Sequence, residues 1–238
     1  LPLGNDDTDY VRGQLQLDLT ADWRMNLSGD LTRTLTGSQR IGFLAADSSF
    51  PGVPPADVLS AYHDVAPRFL QDNRAGDFDA NVWGTSVALT NEHGGLRFES
   101  ITAYRQLVTT SRNTDADGTP YELRAVWQRS QFEHQFSQEL QVHGTGSPRQ
   151  YAWVAGLLYF AESADFENDL IGPDSPDIFE TRGTAKNSSA AAYAQLDVPV
   201  GQTLRLTAGL RYNVDWRQLI SHNAYQVGGV ESCWLDAA

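Results

Sequence analysis

Residues 203–216, TLRLTAGLRYNVDW, sort their chemistry by parity. Leu204, Leu206, Ala208, Leu210, Tyr212, Val214 and Trp216 are apolar, whereas Thr203, Arg205, Thr207, Gly209, Arg211, Asn213 and Asp215 are not core formers. Side chains leave a pleated strand on alternate sides, so a period of two predicts a β-strand with one apolar and one polar face. The stretch is long against the ~5–6 residues usual for a strand. One face calls for hydrocarbon from end to end, and the other carries two arginines and an aspartate.

The same alternation predicts eight strands in all. In 10–19, Val11, Leu15, Leu17 and Leu19 oppose Arg12, Gln14, Gln16 and Asp18. In the second strand, Trp23, Met25, Leu27 and Leu31 oppose Arg24, Asn26, Ser28 and Asp30. Further strands are expected at about 78–90, 96–105, 132–143, 151–166, 189–198 and 203–216. The fourth is less clean, because Ile101 and Ala103 share a face with Arg97 and Glu99. A short helix is expected near 56–64, where a Pro-rich segment offers a first turn.

The connections run short, long, short, long, short, long, short. Long polar-lined strands joined this way predict an all-β, antiparallel up-and-down transmembrane barrel of about eight strands, with tight turns inside and long extracellular loops. Both termini are then placed outside. Trp23 and Trp153 fall by the inner turns, and Tyr104, Tyr212 and Trp216 near outer ends, as two aromatic girdles require. A soluble antiparallel sandwich also alternates. Strand length and the order of connections separate the two readings.

Composition changes this picture little. The 238 residues are 41% hydrophobic, mean hydropathy is −0.39, and no run approaches the ~18 apolar residues of a membrane helix. A net charge of −13 argues against nucleic acid as a partner. One cysteine, Cys233, excludes an internal disulfide framework and zinc ribbons. The acids gather at Asp6, Asp7 and Asp9, at Asp115 and Asp117, and between Asp165 and Glu180. These read as solvated loops.

Four phrases carry a resemblance: FESITAYR (98–105), FSQELQVHG (136–144), YAWVAGLLYF (151–160) and AYAQLDVPVGQTLRLTAGLRY (192–212). In that order they resemble the barrel of TonB-dependent outer-membrane receptors, particularly the large sphingomonad and Caulobacter type, over about residues 10–217. The resemblance implies active uptake, across the outer membrane of a Gram-negative bacterium, of a ferric siderophore, cobalamin or oligosaccharide. The energy would come through TonB pulling on a plug domain. Residues 1–238 are accordingly expected to form a partial barrel without the plug or the C-terminal strands, ending at Ala238 inside an outer loop. A passive porin-like barrel is the alternative membrane reading.

No enzyme, cofactor or metal is indicated. Gly84–Ala88 (GTSVA) fails as a nucleophile elbow, and HExxH, Walker A and GxGxxG are absent. His63, His93, His134, His143 and His222 show no ligand spacing. Asn113, Asp115, Asp117 and Gly118 open like a calcium loop, but Arg124 stands where its bidentate glutamate belongs. The expected partners are outer-membrane lipid, the TonB complex, and a small-molecule or glycan ligand held by the loops 35–76, 106–131 and 167–188. Phe50, Tyr62, His63, Arg68, Phe69, Arg74, Arg112, Tyr121, Arg124 and Trp127 are candidate contacts by location alone; no motif assigns a ligand-binding residue. The faces generate a prediction for the intact protein in lipid. Leu206→Arg or Leu210→Arg should cost about 2–4 kcal/mol at the bilayer midplane, measured by equilibrium unfolding. Substituting Arg205 or Thr207 should be mild, and equal costs on both faces would refute the assignment.

Overall fold

All eight segments of period two are strands, in the order read from the chain. They are β1 Asp6–Asp18, β2 Trp23–Gly37, β3 Asp77–His93, β4 Leu96–Asp115, β5 Val126–Gly146, β6 Tyr151–Ile171, β7 Ile178–Val200 and β8 Leu204–Val227, followed by a short β9, Val230–Ala237. The structure is a computed structural model that describes residues 5–37, 76–115, 126–146, 151–171, 178–201, 203–227 and 230–237. The expected helix near 56–64 lies outside these residues. Each strand pairs antiparallel with its sequence neighbours in one open sheet, with β1 and β9 at the two edges.

Two expectations need correction. The strands run well past their alternating segments at the outer end. β4 continues to Asp115, β5 starts at Val126 and β7 starts at Ile178, so much of the expected loops 106–131 and 167–188 is sheet. Beyond a membrane both faces of a strand meet water, and the period-two signal disappears although pairing continues. A strand also stands within the expected C-terminal outer loop: β9 pairs with β8 from Ser221↔Ala237 to Val227↔Val230. A register shift between Asn223 and Ala224 breaks the alternation there, which hides this strand from a parity reading.

The inner turns are tight for local reasons. In the first, the Thr20 hydroxyl accepts the amides of Asp22 (3.3 Å) and Trp23 (3.1 Å). The second consists of Gly94 and Gly95, with φ of 62° and 80°. A two-residue hairpin of this hand needs positive φ at both positions, which glycine supplies without strain.

Hydrocarbon has almost nothing of this chain to pack on. Ala191 and Ala224 are the buried apolar side chains among the described residues. Leu204 and Leu206 are each 60% exposed and Leu210 74%. Because the lower part of β8 is an open edge, central strands are the stronger test. On β5 and β6, Leu140 is 48% exposed and Leu157 58%. No second layer of described residues covers this face, as a sandwich would require.

The apolar face is closed even where it is impure. Ser100, Thr102 and Gln138 point to it from β4 and β5. Thr102 donates to Gln138 Oε1 (2.6 Å), and Gln138 Nε2 donates to Ser100 Oγ (3.0 Å) and to the Glu139 carbonyl (3.3 Å). Polar groups facing hydrocarbon are costly unless bonded, and these three bond to one another.

The register gives the strand tilt. Trp23, at the inner start of β2, connects through Asn91, Phe98, Val142, Ala155 and Ala194 to Leu210 in β8. β8 continues from Leu210 toward the inner surface as far as Leu204. At about 3.4 Å per residue and about 4.8 Å between strands, the inner ends are staggered by about 20 Å over about 29 Å. The tilt is therefore about 35°, within the range of closed barrels. Polarised infrared spectroscopy of the intact protein in oriented bilayers should return this value. Strands within a few degrees of the normal would contradict the register.

Candidate functional site

The polar face is a continuous network rather than a set of isolated charges. On β2 and β4, Arg105 Nη2 donates to both carboxylate oxygens of Asp30 at 2.9 Å. The strand between them contributes Gly84, paired with Asp30 on one side and Arg105 on the other. A Cβ at Gly84 would stand 3.1 Å from Arg105 Nε and 3.2 Å from Nη2. The missing side chain is what lets the guanidinium lie across β3. The pair borders a hollow of about 470 Å³ lined by Tyr10, Arg12, Ser28, Gln135 and Phe160 among others.

A second reach repeats the device. Tyr193 on β7 crosses Gly156 on β6 and donates its hydroxyl to Glu139 Oε1 on β5 at 2.6 Å. Arg211 of β8 sits over the Tyr193 ring, 5.8 Å from its centroid. Between these centres, Gln135 donates to Glu133 (2.7 Å) and Glu162 (2.9 Å), and Asn187 donates to Glu162 (3.1 Å). Glu133, Glu139 and Gln141, at alternate positions of β5, share this face and serve as hydrogen-bond acceptors in a wetted wall. Among the described residues, nothing pairs them for acid–base chemistry.

The outer rim is acidic. Arg182 is held by Glu180 (2.6 Å) and Glu167 (2.8 Å), and Asp169 lies opposite Glu180. Burial first, then the charges of Glu167 and Glu180, raise the Asp169 carboxyl above the ordinary range, while Arg182 pulls it back.

Of the candidate loop contacts, Phe50, Tyr62, His63, Arg68, Phe69, Arg74, Tyr121 and Arg124 lie outside the described residues. Trp127 is placed by its backbone in β5. Arg112 is at the outer end of β4, 3.6 Å from Asp77. Asn113 takes a positive φ of 52° at an irregularity of the β4–β5 ladder, so the calcium-like sequence begins in a strand end. Asp117 is outside the described residues. The site the structure does bring together, Asp30, Gly84 and Arg105, escaped the sequence reading. Its signal is register: a glycine flanked in the ladder by opposite charges, which parity alone does not reveal.

Residues 3–228 match the family described as TonB dependent receptor-like, beta-barrel. The chain belongs to this receptor-barrel family. Its sheet is also similar to a solved structure, the ferric yersiniabactin uptake receptor FyuA from Yersinia pestis, with a TM-score of 0.71 at 15% identity. The match covers 98% of this chain and 33% of FyuA, so the chain spans about a third of that receptor's length. No curated protein matches the sequence. Receptors of this family are outer-membrane proteins, which identifies the apolar face as lipid-facing and the polar network as the inward wall. It agrees with the expectation of a TonB-dependent receptor barrel.

The Asp30–Arg105 pair should be measurable as a coupling. At this exposure a double-mutant cycle with Asp30→Asn and Arg105→Gln should give about 0.2–1 kcal/mol. The coupling should vanish in a Gly84→Val background, where the added side chain lifts the guanidinium off β3. An unchanged coupling would show that the glycine is not what opens the path.

Proposed function

We propose that the intact protein is an active uptake receptor of the outer membrane, driven through TonB, for a ferric siderophore, cobalamin or oligosaccharide. The family match across residues 3–228 is the observation that carries this reading. Membership in a barrel family of TonB-dependent receptors supports energised transport, and the likeness to a receptor that takes up ferric yersiniabactin supports the siderophore class among the three. In this reading the barrel strands form the wall and the ligand is held by outer loops and by a plug domain in the rest of the protein. The residues described here make that wall polar, hydrogen-bonded and fixed in place. A deletion strain should lose uptake of one class when supplied in turn with ferric siderophores, cobalamin and oligosaccharides. Restored uptake should stop when the proton-motive force is collapsed. Uptake that persists without it, proportional to external concentration, would instead indicate a passive porin.

A further inference from the structure

Lys186 stands apart from every other cation on the lipid-facing surface. No other lysine occurs in this chain of net charge −13. Its exposed side chain lies in the row Gln218–Lys186–Ser163–His134, one outward step beyond the row of Trp216, Ser188, Ala161, Phe136 and Tyr104. Of that row it is Trp216, on the strand next to Lys186, that marks the edge of the hydrocarbon, since across tilted strands Phe136 and Tyr104 lie deeper. Lys186 therefore sits at headgroup depth. The outward-facing arginines of the described strands are each matched to a carboxylate: Arg33 to Asp79 (3.8 Å), Arg112 to Asp77 (3.6 Å) and Arg182 to Glu180 (2.6 Å). Lys186 has no such partner among the described residues.

A hollow of about 490 Å³ adjoins it, lined by Lys186, His134, Phe136, Ser163, Ser188 and Trp216 among others. Most of that lining belongs to the outward face, and the inward-facing Glu162, Asn187 and Arg217 stand between outward positions in their strands, so the hollow opens outward. His134 presents there a buried Nδ1 with no hydrogen-bond partner. Below Lys186, the outward residues of β7 are Ser188, Ala190, Ala192 and Ala194, opposite larger side chains of β6 (Leu157, Tyr159) and β8 (Leu210, Tyr212, Trp216). The hollow thus continues as a trough into the hydrocarbon. Farther out, Asp165, which accepts the Thr184 hydroxyl at 2.6 Å, and the Glu167, Asp169 and Glu180 group exclude an anion from the rim.

We propose that this surface holds an anionic phosphate-bearing lipid. Lys186 meets the phosphate, Ser163 and His134 supply neighbouring hydrogen-bonding groups, and an acyl chain lies along the alanine trough. A compact ammonium suits a phosphate as a point charge, and its aliphatic stem reaches along apolar surface to the interface. The trough favours an amphiphile over a free anion, and the acid belt above fixes the headgroup at one depth.

The test uses the full-length receptor in detergent, titrated with dioleoyl phosphatidic acid and read by native mass spectrometry. The unmodified protein should retain this lipid in preference to dioleoyl phosphatidylcholine. Lys186→Gln should weaken retention about fivefold, the factor for one lysine at an anionic surface, and Lys186→Arg should preserve it. Ala192→Phe, which fills the trough and leaves the charge, should also weaken it. Heat-dependent gel migration verifies that each variant is folded. Equal retention by Lys186→Gln and the unmodified protein would overturn the proposal. Displacement of the lipid by inorganic phosphate would assign the site to a free anion, and loss of a dimer in Lys186→Gln would assign the face to a second copy of this chain; either outcome also overturns it.

Discussion

A single sheet with different solvents on its two faces is the constraint from which the other features follow. Most folded chains bury apolar side chains against one another; here the described strands offer each other almost nothing to bury. The apolar face can be stable only against acyl chains, and the polar face only against water or polar groups. In hydrocarbon every backbone donor and acceptor must be paired within the protein, which explains why the ladders run unbroken through the apolar band. It also bears on the edges. β9 covers β8 only from Ser221 outward, so the lower part of β8 and the outer side of β1 carry backbone groups that need partners in lipid. Closure of a larger barrel satisfies them, and the similarity to a third of FyuA fits that geometry.

The polar wall solves a different problem. Its side chains face water, where an ion pair at the exposure of Asp30–Arg105 adds little stability. What such contacts do supply is position. Arg105 and Tyr193 each lie across a neighbouring strand where glycine leaves space, and each ends on a carboxylate two strands away. Laid flat and tied at its end, a long side chain keeps the wall low and leaves the interior open. The ring of Tyr193 also covers backbone that a glycine leaves bare, the effect by which aromatic groups offset a glycine in a strand. One residue choice therefore serves both the packing of the wall and the clearance inside it.

How much could be read from the chain depends on where the two solvents differ. From Leu204 to Trp216 one face meets lipid and the other the interior, and parity alone locates the strand, its faces and its aromatic limit. Tyr212 is a partial exception: it lies two outward positions deeper than Trp216, within the apolar band rather than at its edge. Between Thr109 and Asn113, or from Glu180 to Arg182, both faces meet water. The residues are polar on every side, and a strand looks like a loop. Ser100, Thr102 and Gln138 blur the pattern differently, since their mutual bonds let polar residues occupy lipid-facing positions. The Asp30–Gly84–Arg105 grouping was illegible for a third reason: it depends on register across three strands, with the long segment 38–75 lying between two of them.

Charge is distributed by depth. Within the wall, acids and bases are largely matched: Asp18 with Arg24, Asp30 with Arg105, and Glu99 with Arg97. The acid excess behind the net charge of −13 gathers toward the outer end, at Asp6, Asp7 and Asp9 of β1, at Asp77 and Asp79 of β3, and along β6 and β7 from Asp165 to Glu180. Such a cluster produces a negative potential along the outer ends of these strands, felt over about a Debye length of ~10 Å in ordinary salt. The matched wall beneath adds no comparable potential. On these strands the fixed negative charge is therefore concentrated beyond the membrane, and the polar face beneath it is nearly neutral.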